Sequence, residues 1–241
     1  MPDSQAPKDA LRDAASVILV RRDREVARVL MGQRGRGAAF MPSKFVFPGG
    51  AVDRDDRDIP AATPLPEPTA RRLRLRVGPD SDPKLAEALA MAAIRELWEE
   101  TGLALAQASG TRPHNPAPDW QSFFDAGHFP AADGLEFIFR AITPPGRPRR
   151  FDARFFLVDA ARIAGSLDDF SRAGSELSYL DWLTLAEARK LDLPFITEVV
   201  LAEVEARLAA DDGGPGGGPV DTGRPAPFVH HAEGKSFIDA L

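Results

Sequence analysis

The sequence predicts an α/β domain, a mixed sheet sandwiched between helices (α/β/α) with loop insertions, and three observations predict it. Short runs rich in Val, Leu and Ile, separated by polar turns, recur from Ala14 onward. A long segment, 83–101, repeats apolar residues at helical spacing between a start and a stop signal, and a second amphipathic segment, 197–210, closes the series. Strands followed and flanked by helices in this order pack as layers around one core. At 241 residues and 44% hydrophobic, the chain is long enough to bury that core, and its 22 Pro and 20 Gly promise long loops.

Taken in order, residues 1–13 are a polar leader, and Ala14–Arg21 with Val26–Gln33 read as a hairpin across Arg22, Asp23, Arg24 and Glu25. Lys44–Phe47 is a third run, stopped by Pro48-Gly49-Gly50, where the backbone is free to approach a ligand. Residues 53–82 are crowded with Asp, Arg and Pro and lack a period, so they read as an insertion with a short helix near 70–77. Asp82-Pro83 then supplies an N-cap and an N1 proline, and Thr101-Gly102 the stop. A short helix at 119–126, strands at 135–143, 154–159 and 177–183, and helices at 184–191 and 197–210 complete a single domain over 14–210. The Gly213–Gly218 linker and a tail from Pro225 to Leu241 make up the remainder, 211–241.

Composition excludes several functions. A net charge of -6 disfavours nucleic acid or an anionic membrane as a partner, and only five of the 30 basic residues are Lys, so a single Arg near a motif says little. With no Cys there is no thiol nucleophile, disulfide framework or Cys-ligated metal. The polar start and the absence of any apolar run of membrane-spanning length lead to the expectation of a cytoplasmic protein. His114, His230 and His231 have no metal-ligand spacing.

On the 83–101 helix, Glu96, Glu99 and Glu100 fall within an arc of roughly 100° at 100° per residue, while Ala90, Met91, Ile94, Leu97 and Trp98 fill the opposite side. Three like charges in the last two turns repel one another and oppose the helix dipole. A hard divalent cation, Mg2+ or Mn2+, would offset that cost. A solvated acidic face is the other reading of such a cluster.

Glu87, seven residues, and then Arg95-Glu96-Leu97-Trp98-Glu99-Glu100-Thr101-Gly102-Leu103 spell E-x7-R-E-U-x-E-E-x-G-U, with U a bulky aliphatic residue. Together with the upstream Phe47-Pro48-Gly49-Gly50 turn, the stretch resembles the Nudix box. It departs from the family pattern at Ser81, where a Gly is usual, as an insertion between the Gly turn and the helix would produce. The resemblance spans about 14–210 and implies the Nudix fold and hydrolysis of a diphosphate linked to a nucleoside.

The resemblance also implies roles. Glu96, Glu99 and Glu100 would ligate Mg2+ or Mn2+, Arg95 would hold the glutamates in place, and Gly49 and Gly50 would bring backbone to the metal or phosphates. Glu87 would be a metal ligand or a steadying carboxylate, or else simply an acid at a helix N-terminus. Glu176, in the loop before a late strand, matches a recurring position of the catalytic base. Residues 41–50, the insertion and 151–156 resemble the branch of the peroxisomal coenzyme A diphosphatases, which implies CoA or acyl-CoA as substrate and 3',5'-ADP and (acyl-)phosphopantetheine as products. Ala39 and Ser43 stand where the CoA signature has Arg and Gly, so ADP-ribose, NADH or a non-catalytic nucleotide-binding module stay open. Arg34 and Arg36 are candidates for a phosphate contact, and Arg154 for a substrate contact or a structural ion pair. Trp120, Phe123 and Phe124 either stack on a base or pack the core, and both a monomer and a homodimer remain open.

Overall fold

A computed structural model describes residues 10–23, 25–37, 41–210 and 223–241. Most of the polar leader, Arg24 of the first turn, Ala39 and the Gly213–Gly218 linker lie outside the described residues. The elements are β1 (Leu11–Arg21), β2 (Arg28–Arg34), β3 (Phe45–Val46), β4 (Gly49–Ala51), α1 (Glu67–Leu73), α2 (Leu85–Thr101), β5 (Ala104–Gln107) and α3 (Pro118–Asp125). They continue with β6 (Phe129–Pro130), β7 (Glu136–Ile142), β8 (Arg150–Asp159), β9 (Ile163–Ala164), β10 (Leu177–Thr184), α4 (Leu185–Ala188), α5 (Phe195–Ala210), β11 (Pro227–Ala232) and β12 (Lys235–Ala240).

The main sheet runs β10-β2-β1-β8-β7-β11-β12, with β3 added on β2 and β4 on β1. It is mixed: β1 pairs parallel with β8 and antiparallel with β2, the expected hairpin. A small sheet, β6-β5-β9, stands apart. Alternation along β1 divides the interior. Ala15, Val17 and Leu19 face the core formed with α2, whereas Ile18 and Val20 face the core formed with α5. The sheet is therefore buried on both faces between helices, as the pattern of elements predicts.

α2 starts at Leu85 rather than at Pro83. The Asp82 carboxylate accepts from the Lys84 N–H at 2.8 Å, and its carbonyl accepts from the Leu85 N–H, so the start signal acts three residues upstream of the first helical residue. The helix ends on Gly102, whose φ of 75° is the left-handed C-cap that glycine adopts without strain. Ala90, Met91, Ile94, Leu97 and Trp98 are all buried as expected. So are Ala88, Leu89, Ala92 and Ala93, because the insertion and α3 cover a flank that the periodicity leaves to solvent.

Two expectations are corrected at the chain ends. The first strand begins at Leu11, since its pairing with β8 runs from Leu11↔Arg150 without interruption. The stretch 225–241 is not a tail: β11 and β12 form a hairpin, and β11 pairs parallel with β7. Glu233 and Gly234 both have positive φ, the conformation of a tight two-residue turn between Ala232 and Lys235. Buried Phe228 and Ala226 anchor the hairpin, and Ala226 and Leu241 exchange both backbone hydrogen bonds. Arg207 on α5, fully buried, fixes the approach by donating to Glu136, Glu203 and the carbonyls of Arg224 and Pro225.

The insertion holds the short helix expected near 70–77, at Glu67–Leu73, but it also contributes buried residues where an excursion outside the core is expected. It holds a 3-10 turn at Arg54–Asp58 and α1, and buries Asp56, Ala70 and Leu73. No helix among the described residues is long and apolar enough to cross a membrane.

Candidate active site

The last two turns of α2 face β4, and the two elements meet at the glycine turn. The Gly49 N–H donates to Glu100 Oε2 at 2.8 Å. A Cβ on Gly50 would lie 2.4 Å from the Glu96 carboxylate and displace it, and one on Gly49 would lie 2.4 Å from the Ala15 carbonyl oxygen, so Gly49 admits no side chain. Glu100 is thus turned inward rather than presented to solvent, whereas Glu96, mostly buried, and Glu99, about a third exposed, lie beside it.

Arg95 organises the cluster. Its Nε donates to Asp56 Oδ1 at 2.9 Å and one terminal nitrogen donates to Asp56 Oδ2 at 3.0 Å and to the Ala51 carbonyl at 2.9 Å. The other terminal nitrogen donates to Glu96 at 2.9 Å and Glu99 at 3.1 Å. All five N–H groups of the guanidinium are satisfied, which lets a side chain only 4% exposed stay charged. Burial pulls its pKa down, but the Asp56 hydrogen bonds and the Glu96 charge more than reverse this and raise it above the ordinary arginine range. Asp56 in turn accepts from the Trp120 indole N–H at 3.0 Å and the Asp53 N–H at 2.8 Å.

Charge remains uncompensated on the acid side. Burial pushes the Glu96 carboxyl up to about 7, with Arg95 opposing and the Glu99 and Glu176 charges adding to the rise. Burial likewise pushes Glu100 up to about 8, against the Gly49 hydrogen bond. Glu99 is raised by burial and held back by Arg95. Among the described residues, no three acidic or imidazole side chains close into a finished cation cage. The donor set nevertheless suits a hard cation, because such ions take carboxylate oxygens and complete their shell with water and phosphate.

The other candidates separate into two groups. Glu176 is exposed on a loop pinned on both sides: the Gly174 N–H donates to the Glu99 carbonyl at 2.8 Å, and the Gly35 N–H donates to the Glu176 carbonyl at 3.2 Å. Its charge and that of Arg34 both act on Glu100, so β2, the β10 loop and α2 converge on one place. Arg34 and Arg36 line a cavity of about 550 Å³ between β2 and β10. Glu87, by contrast, sits near the other end of α2, its side chain 52% exposed and paired with Arg74 at 3.0 Å. Arg154 is occupied in the core by Asp13 and Asp152, beside the bidentate Arg140–Asp152 pair, which is the structural ion pair of its two readings. Trp120, Phe123 and Phe124 are buried and pack on one another.

Asp56 is the site residue that sequence reasoning missed. Its stretch, Asp53-Arg54-Asp55-Asp56-Arg57-Asp58, offers four interchangeable acids, and nothing in the spacing distinguishes the buried one.

No family model matches the chain. Over 183 residues, 71% of its length, it is 31% identical to nudix hydrolase 7 of Caenorhabditis elegans, and it spans about half of that relative, 51%. A crystal structure of a NUDIX hydrolase from Alicyclobacillus acidocaldarius superposes with a TM-score of 0.57 at 28% identity, covering 86% of this chain and 99% of that one. The fold is the Nudix fold, and with the motif carried on α2 the chain belongs to the Nudix hydrolase superfamily.

Proposed function

We propose that the chain hydrolyses the diphosphate bond of a nucleoside diphosphate derivative with a divalent cation, Mg2+ or Mn2+. Its proposed substrate is CoA or an acyl-CoA, released as 3',5'-ADP and (acyl-)phosphopantetheine. One observation carries the reading: at one helix end two carboxylates, Glu96 and Glu99, share the Arg95 guanidinium while a third, Glu100, accepts from the Gly49 N–H of the glycine turn. Glu96, Glu99 and Glu100, with the backbone at Gly50, would hold the cation. When bound, it neutralises phosphate oxygens and acidifies an attacking water.

The chain's own residues supply the rest. Arg95 keeps Glu96 and Glu99 at fixed angles, and Asp56 keeps Arg95. Gly49 and Gly50, which pack directly against β1 and the Glu96 carboxylate, bring bare backbone to the place where the diphosphate would bind. Glu176 takes the proton of the attacking water as the new P–O bond forms and the bridging P–O bond breaks; its exposure and its pinned loop support that role. Arg34 and Arg36 pair with a phosphate of the substrate, the 3'-phosphate in the case of CoA.

The test is mass-spectrometric product analysis with Mg2+ or Mn2+ on CoA, acyl-CoA, ADP-ribose and NADH, with Glu99→Gln as control. Appearance of 3',5'-ADP and phosphopantetheine only with the intact glutamate supports the whole reading. Cleavage of another diphosphate removes CoA and keeps the reaction class, and no cleavage at all removes both.

A further inference from the structure

The cavity that Arg34 and Arg36 line has an unexplained wall. In β10 the pairing with β2 passes from Ser178↔Gln33 to Asp181↔Met31, three steps against two, so β10 carries one extra residue. Leu180 takes the inward place over Gly32, where its Cδ2 would lie 2.9 Å from any Cβ. Tyr179 is thereby turned out, 77% exposed, with φ at 50°. A bulky residue in the left-handed region is rare, and such outliers gather at ligand sites. Ser43, on the facing wall of the same cavity, is a second one, with φ at 62°.

The polar lining gives the wall its meaning. Arg34 makes no ion pair among the described residues, and its buried Nε has no hydrogen-bond partner. Arg36 stands exposed at the rim. A strained, outward aromatic ring facing two arginines within reach of Glu100 matches a planar base that carries a phosphate.

We propose that this cavity binds the nucleoside phosphate half of the substrate, with the base stacked on Tyr179 and its phosphate paired with Arg34 and Arg36. The assignment rests on the diphosphatase reading for its biological meaning, but binding tests it without catalysis. Tyr179 is the chain's single tyrosine, so protein labelled with 3-fluorotyrosine gives one fluorine resonance that reports on this ring. AMP should shift that resonance saturably, and ribose 5-phosphate, which lacks a base, should leave it nearly in place. The variants lack the label, so their AMP binding is read by isothermal titration calorimetry: Tyr179→Ala should weaken it about 10-fold, a loss of ~1.4 kcal/mol, and Tyr179→Phe should stay within about twofold, because stacking needs the ring and not the hydroxyl. Tyr179→Gly should weaken binding as Ala does yet raise Tm, since glycine relieves the strain; a purely structural tyrosine would lower Tm and leave binding unchanged.

A resonance that does not respond to AMP, or an alanine variant that binds AMP like the wild type, overturns the assignment. If the wild type cleaves no diphosphate while AMP still shifts the resonance, the diphosphatase reading fails and the nucleotide site stands. If it cleaves one while the resonance stays still, the reverse holds.

Discussion

Replacing Asp56 by Ala removes four hydrogen bonds at once: two from Arg95, one from the Trp120 indole and one from the Asp53 backbone. Arg95 would be left with buried N–H groups facing an apolar gap. Breaking a buried ion pair by deleting one partner costs about 3–5 kcal/mol, and an orphaned buried N–H about 1–3 kcal/mol, with overlap between the two. We expect a net loss of about 4 kcal/mol. At roughly 2–4 °C per kcal/mol for a domain of this size, Tm should fall by about 8–16 °C. Asp56→Asn keeps the shape and one acceptor, and should lose about half as much. Both variants should also lower kcat, because Arg95 orients Glu96 and Glu99. Asp168→Ala is the control: Asp168 also pairs with an arginine, Arg21, but is two-thirds exposed, and such pairs contribute no more than about 1 kcal/mol. Thermal denaturation with steady-state hydrolysis on the three variants decides it. If Asp56→Asn matches the wild type in both Tm and kcat, the account of Arg95 as a guanidinium held by the insertion is wrong.

Three other outcomes follow from the same geometry. Glu87→Gln should leave kcat within about threefold, since Glu87 forms only an exposed pair with Arg74; a loss of a hundredfold would place it in the metal site after all. Glu96 and Glu100, raised to about 7 and 8, bind protons more tightly in the folded chain than in the unfolded one. Their contribution to stability is therefore fully present below about pH 4.5 and is lost as pH rises through 7 to 8. A divalent cation competes with those protons, so the Tm gain on adding Mg2+ should grow between pH 6 and 9, and a gain independent of pH would refute the shifts. Phe228→Ala should cost about 3–5 kcal/mol in urea denaturation, because the ring is buried under the Arg140 guanidinium at 4.5 Å; a neutral result would return 225–241 to the status of a loose tail.

How far the sequence speaks depends on whether a signal is local. The three glutamates, their arginine and the stop at Gly102 lie within eight residues of one helix, so periodicity alone brings them together. Asp56 is 39 residues from Arg95 and comes from a segment without a period, and only the fold brings the two within hydrogen-bond distance. The exposed ring at Tyr179 depends on a one-residue slip between β10 and β2, which reads in sequence as an ordinary strand. The C-terminal hairpin was nearer to legible. Its turn, Glu233-Gly234, lacks the Asn or Asp that usually marks such a turn, and a glycine-rich linker before it suggested a free end.

The insertion changes what the motif means in this chain. In a helix that carried only the glutamates and Arg95, one cation would face two carboxylates and bury itself at a cost of several kcal/mol. Here Asp56 takes the buried side of the guanidinium and leaves only its outer nitrogen for Glu96 and Glu99. That division leaves the glutamates partly neutralised, with raised pKa values and a residual demand for positive charge at the glycine turn. A chain whose site was only a stable ion-pair network would have closed that demand internally. This one leaves it open, with the charge of Arg34 from the neighbouring cavity acting on Glu100.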